Sequence, residues 1–180
     1  MNGRDFVKKL LVVVDMQNDF VDGALGTAEA VATVPHVCSK IKSFDGKIIV
    51  TYDTHFDNYM NTREGRMLPV PHCIKGTAGH GLNSEVLSAL DGKEYITVEK
   101  PTFGETKLPS VVMEFMGTDE IEIELCGLCT DICVVSNALI LKAAFPEAEI
   151  SVDSRCCAGV TPQKHEAALE TMRSCQINVK

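Results

Sequence analysis

Short apolar runs recur along the chain, and each stops at a polar or turn-forming residue. Leu10–Val14 is continuously apolar and ends at Asp15, Lys47–Thr51 ends before Asp53, and Tyr95–Val98 ends at Glu99-Lys100. Ile121–Leu125 ends at Cys126-Gly127, Ile150–Val152 at Asp153, and Ile177–Val179 forms a sixth run. These are strand patterns, and the continuously apolar ones suit strands covered on both faces, as parallel sheets require. Ile121–Leu125 alternates with Glu122 and Glu124 and reads as a half-covered strand.

Helical spacing fills the intervals. Residues 30–44 place Val34, Val37, Cys38 and Ile41 on one helical face. Residues 83–90 open with Asn83-Ser-Glu, and 109–116 form a short apolar stretch. Residues 131–144 stop before Pro146, and Thr161-Pro162 opens a helix running through Leu169 and Met172 toward Cys175. Strand alternating with helix predicts an α/β fold, a doubly wound sandwich around a mostly parallel six-stranded sheet. The connection from 51 to 83 lacks periodicity, and a loop that long in a compact domain usually carries function.

A length of 180 residues suits a single domain spanning 1–180. Lys and Arg total 17 against 25 Asp and Glu, a net charge of 17 − 25 = −8, which argues against nucleic acid as a partner. No apolar run approaches the ~20 residues that span a bilayer, so no membrane partner is expected. Met1–Leu10 has no apolar stretch followed by a cleavage site, and with eight cysteines this predicts reduced thiols and a cytoplasmic location. Cys38, Cys73, Cys156, Cys157 and Cys175 read as small buried hydrophobes. Self-association is expected because homodimers are the commonest soluble assembly.

In open parallel sheets ligands bind beyond the carboxyl ends of the strands. Those ends deliver Asp15, the Asp53/His55 pair, Lys100 and the segment Cys126-Gly-Leu-Cys129-Thr-Asp-Ile-Cys133. An acid, an ammonium and a thiol at one sheet edge suit nucleophilic catalysis. Cys133 lies in the first turn after Thr130-Asp131, which can cap the following helix and lower the thiol pKa, with Asp15 as proton acceptor and Lys100 as counter-cation. Asp53 and His55, two apart on extended backbone, share a side, and with His72 they suit zinc or another first-row ion, Glu64 being a fourth candidate ligand. Cys126-x-x-Cys129 also matches the spacing of thiol–disulfide oxidoreductases, and a non-enzymatic binding protein is a third reading.

Asp15-Met-Gln-Asn-Asp-Phe20, Asp53-x-His55 with His72-Cys-Ile-Lys-Gly-Thr77, Lys100 with Phe103, and Gly127-Leu-Cys-Thr-Asp-Ile-Cys-Val134 occur in that order. Over nearly its whole length the chain resembles the isochorismatase-like cysteine hydrolases, and among them most resembles nicotinamidases. The resemblance implies a catalytic triad of Asp15, Lys100 and Cys133, and a cis peptide between Leu128 and Cys129. It also implies an oxyanion hole made by the Cys129 and Cys133 N–H groups. It further implies one divalent ion, most often zinc with iron or manganese as alternatives, on Asp53, His55, His72 and Glu64. Phe20 would flank the substrate ring. The implied reaction is hydrolysis of a small primary amide, nicotinamide to nicotinate and ammonia, through a thioester. Carbamoyl- or ureide-cleaving relatives are the alternative, whereas the nucleophilic Cys133 argues against isochorismate hydrolysis. Many nicotinamidases carry aromatics where this chain has Thr54 and Leu68-Pro-Val-Pro71, and the chain has no Trp.

Overall fold

The computed structural model describes residues 7–118 and 120–180, so Met1–Phe6, on which the reading of the amino terminus partly rested, lie outside the described residues. Six strands, β1 (Lys8–Val14), β2 (Lys47–Asp53), β3 (Tyr95–Lys100), β4 (Ile121–Leu128), β5 (Glu149–Ala158) and β6 (Asn178–Val179), form one sheet in the order β3-β2-β1-β4-β5-β6. Every adjacent pair is parallel.

The register explains the sequence pattern. β1 lies between β2 and β4 and is covered on both faces, so Leu10 through Val14 are all fully buried. Each such side chain contributes roughly 1.5–3 kcal/mol when fully buried. β3 is an edge strand with alternating exposure. Strands extend past their apolar stretches wherever a neighbour offers backbone partners. Lys100 pairs in register with Asp53, and β5 continues through Asp153 to Ala158 beside Gly127 and Leu128.

Among the described residues, seven α-helices connect the strands: α1 (Asn18–Val21), α2 (Ala28–Ser43), α3 (Arg63–Met67), α4 (Ser84–Ala89), α5 (Leu108–Met116), α6 (Val135–Ala144) and α7 (Pro162–Ser174). Thr27, Asn83 and Thr161 cap α2, α4 and α7 by accepting backbone N–H groups of the first turn. Gly117, in the left-handed region at φ 69°, ends α5. From β1 the chain winds to β2 and β3, and from β4 to β5 and β6. Right-handed crossovers in opposite directions place helices on both faces. The order reverses between β1 and β4, which puts a crevice at their carboxyl ends.

Three expectations need correction. Cys175 is exposed, because it lies beyond the last turn of α7, whereas the other four cysteines of its group are buried. The 51–83 connection contains α1-sized order of its own, a 3-10 turn at Tyr59–Asn61 followed by α3. The segment after β4 does not start as a regular helix: Thr130–Val134 is a single π turn that leads into α6. Among the described residues no helix is long and apolar enough to cross a membrane.

Candidate active site

Four strand ends meet at the crevice. Asp15 follows β1 in a left-handed conformation (φ 47°), and its carboxylate is fully buried. Lys100, the last residue of β3, is equally buried, and its Nζ lies 2.6 Å from Asp15 Oδ2, 3.5 Å from Cys133 Sγ and 3.4 Å from Asp53 Oδ1. It also donates to the Thr102 carbonyl at 3.1 Å. The three residues that sequence analysis grouped are therefore brought together around one ammonium.

β1 and β4 approach closely enough here that a Cβ on Gly127 would collide with the Val14 carbonyl. Gly127 also has φ +117°, a conformation open to glycine. Beyond it the Leu128–Cys129 peptide is cis, in accord with the resemblance. The Cys129 carbonyl accepts from both Ile132 N and Val134 N at 3.1 Å, which folds the π turn carrying Cys133 back against the strand end. Asp131 does not cap this turn. Its Oδ1 instead accepts the Val160 N–H at 2.9 Å, and Thr130 Oγ1 pairs with His165 Nδ1 at 2.8 Å.

Burial reverses one electrostatic expectation. Desolvation, then the Asp15 charge, push the Cys133 thiol well above its ordinary range, and Lys100 offsets only part of this. Asp15 is likewise raised by burial against the pull of Lys100. For Lys100, burial disfavours the charged form, but Asp15, Cys133 and Asp53 outweigh it and hold the ammonium protonated. The group thus holds one cation beside two acids that each resist ionising.

The second cluster joins it through Asp53. Among the described residues, Asp53, His55 and His72 place donor atoms within 4.8 Å of one another, all three side chains buried. Asp53 Oδ2 is 3.0 Å from His55 Nε2 and 3.5 Å from His72 Nε2; Glu64 Oε1, from α3, is 3.6 and 3.9 Å from the same nitrogens. Metal–ligand bonds of about 2.0–2.1 Å in a tetrahedron give ligand–ligand edges of about 3.3 Å, so this set fits a first-row ion. Two further features agree. His55 Nε2 is buried with no hydrogen-bond partner, and His72 Nδ1 lies 2.8 Å from the Val70 carbonyl, where a donated N–H leaves Nε2 free to ligate. Burial alone would raise Asp53, but the close approach of His55 and His72, together with the Lys100 charge, holds it well below the usual carboxylate range.

Phe20 is buried with its ring 5.5 Å from that of His72. The aromatic shortage noted in the sequence is partly met by Tyr59. Its ring lies edge-on to His55 and His72 at 4.7 and 5.1 Å, and its hydroxyl donates to the Leu68 carbonyl. Thr54 is buried and bonds to His80 Nε2.

Several site residues escaped the sequence reading. Thr51 Oγ1 donates to Asp15 Oδ1 at 2.6 Å. Asp19 Oδ2 accepts the Cys73 N–H at 2.7 Å, which fastens the loop that bears His72. Asn137, buried on α6, donates to the Cys133 and Phe103 carbonyls and accepts the Glu105 N–H. A lone Asn in an apolar helix, four residues after Cys133, was the available signal. Tyr59 offered none.

The family model of the isochorismatase domain matches residues 9–179. Among solved structures, the chain is 28% identical to nicotinamidase/pyrazinamidase PncA from Bacillus subtilis, with TM-score 0.82 and coverage of 96% of this chain and 98% of that one. It is 27% identical to the pyrazinamidase of Pyrococcus horikoshii, solved in complex with zinc, with TM-score 0.76 over 96% and 98% of the two chains. It is also 27% identical to N-carbamoylsarcosine amidase from Thermoplasma acidophilum, with TM-score 0.74 over 96% and 95%.

Proposed function

The chain belongs to the isochorismatase domain family, and from that premise we propose that it is a metal-containing cysteine amidohydrolase that converts nicotinamide to nicotinate and ammonia. The observation that carries the reading is the placement of Lys100 Nζ against both Asp15 Oδ2, at 2.6 Å, and Cys133 Sγ, at 3.5 Å. Moving the proton from Cys133 to Asp15 transfers the negative charge from oxygen to sulfur while the ammonium stays in contact with it. Activation therefore separates no new charge inside the buried site. That is how a thiol raised by burial becomes a nucleophile on demand.

In the proposed reaction Asp15 takes the Sγ proton as Cys133 attacks the amide carbonyl and forms the C–S bond. The Cys129 and Cys133 N–H groups hold the resulting oxyanion. Asp15 returns the proton to the amide nitrogen, the C–N bond breaks and ammonia leaves a thioester. Water then attacks, Asp15 takes its proton, the C–S bond breaks and the thiolate recovers that proton. Asp53, His55, His72 and Glu64 would hold the ion, for which zinc is the assignment and iron or manganese the alternatives. When bound, it supplies a Lewis acid that anchors the pyridine nitrogen. Phe20 would stack beside the ring.

A second reading has its own support, since a carbamoyl-cleaving enzyme is among the similar structures. Cleavage of an N-carbamoyl substrate would use the same Asp15, Lys100 and Cys133 without needing the ion to hold a ring nitrogen. Ammonia release measured across nicotinamide, pyrazinamide and N-carbamoyl amino acids separates the two. Turnover of the pyridine and pyrazine amides, lost on chelation and restored by zinc, is the expected result. Turnover of the carbamoyl compounds alone would overturn the assignment.

A further inference from the structure

Gln17 follows Asp15 by two residues and is fully buried. Its Oε1 accepts the Asp53 N–H at 2.7 Å, while its Nε2 donates to the Asp53 carbonyl at 2.8 Å and to the His80 carbonyl at 2.9 Å. A primary amide presents the same donor and acceptor as a peptide group. Gln17 therefore supplies a further rung to the β1–β2 ladder, beyond the last strand pairing of Val14 with Thr51. At this point the β1 backbone has turned away through the left-handed Asp15. The backbone of Gln17 is itself held by an antiparallel bridge to Leu82.

The residue gripped in this way on both its N–H and its carbonyl is Asp53. One carboxylate oxygen of Asp53 faces His55 and His72, and the other faces Lys100 at 3.4 Å. Asp53 thus links the candidate ion site to the Asp15–Lys100–Cys133 group. From this we infer that Gln17 is a positioning residue whose side-chain amide fixes the Asp53 carboxylate, and so sets the placement of the ion relative to Cys133. The inference rests on the metal-containing amidohydrolase reading given above.

The test is zinc affinity, measured by competition with a chromogenic chelator, for wild type, Gln17→Met and Gln17→Glu. Gln17→Met keeps the bulk and loses every hydrogen bond. Gln17→Glu keeps the volume and the acceptor, loses the two donors, and carries the test if Gln17→Met does not fold. Partners that orient ligands typically carry about 10- to 100-fold of metal affinity. That loss is expected in either variant, measured at a temperature where circular dichroism shows the metal-free protein folded. Thr51→Val removes a buried bond on the Asp15 side alone and should leave zinc affinity unchanged. A structural role alone would lower the melting temperature of the Gln17 variants and leave their zinc affinity within twofold of wild type; that result overturns the inference. Wild-type protein that binds no zinc would instead overturn the metal reading, and this inference with it.

Discussion

Lys100→Met isolates the contribution of the buried ammonium. Methionine matches the length of the lysine stem without its charge. At an effective dielectric of about 20, opposite unit charges 2.6 Å apart attract by about 6 kcal/mol, and 3.5 Å apart by about 5 kcal/mol. The first separation is that of Nζ from Asp15 Oδ2 and the second that from Cys133 Sγ. The ammonium therefore stabilises the anion by similar amounts wherever it resides, and its loss raises both acids together. Burial already pushes both upward, so loss of the cation drives both further toward the neutral form. The fold survives because a protonated Asp15 is neutral beside a methionine and Asp53 keeps His55 and His72 as neighbours. The nucleophile does not survive: about 5 kcal/mol corresponds to a rate loss of about 10³–10⁴. Pre-steady-state ammonia release and iodoacetamide labelling of Cys133 should both fall by this order, and both should recover as pH rises, since the raised acids then ionise. Lys100→Arg should rescue poorly, because a planar fork cannot replace a compact ammonium among three acidic partners. A Lys100→Met enzyme within tenfold of wild type, or one whose pH profile moves downward, refutes the reasoning.

Cys133→Ala should abolish turnover with an unchanged circular dichroism spectrum, whereas Cys126→Ala and Cys129→Ala should retain substantial activity, because only the backbone of Cys129 has an assigned role; loss of activity in Cys126→Ala with Cys133→Ala active would favour the redox reading. Gly127→Ala should destabilise the fold by more than about 3 kcal/mol in urea unfolding, since the new Cβ meets the Val14 carbonyl in a backbone region costly for any L side chain. Away from the site, Lys40 pairs with Glu124 and with the buried Asp153 at 2.9 Å; Lys180 with Lys40 at Glu124, and Lys40 with Arg155 at Asp153, outweigh burial and lower both pKa values. Depressed carboxylates add stability above their unfolded values, near 4, and lose it as pH falls below them. Lys40→Met should accordingly lose roughly 3 kcal/mol at pH 7 and show a flatter acid limb in thermal melts between pH 5 and 2; a limb parallel to wild type would contradict the pairing.

The apolar runs were enough to specify a parallel, doubly wound sheet, because strands covered on both faces have no polar positions to spare, and Leu10–Val14 carries that signal without help. Residues that end such strands lie at the ligand edge by topology, so Asp15, Asp53, Lys100 and Cys133 were legible as a group before any contact was known. What sequence could not supply was how each is held and charged. Asp131 was read as a helix cap and instead binds Val160 N, because the residue it faces comes from a strand end twenty-nine positions away. Gln17 and Thr51 looked like ordinary polar residues, and their partners Asp53 and Asp15 each lie 36 positions distant. Cys133 was expected to be acidified by a helix start, yet the tertiary structure encloses it, and desolvation with the Asp15 charge outweighs the pull of Lys100. Local pattern determines which faces leave water, since that depends on the alternation of side chains along one segment. Proton affinities and hydrogen-bond partners depend on which distant groups share a dry volume, and only the closed fold decides that.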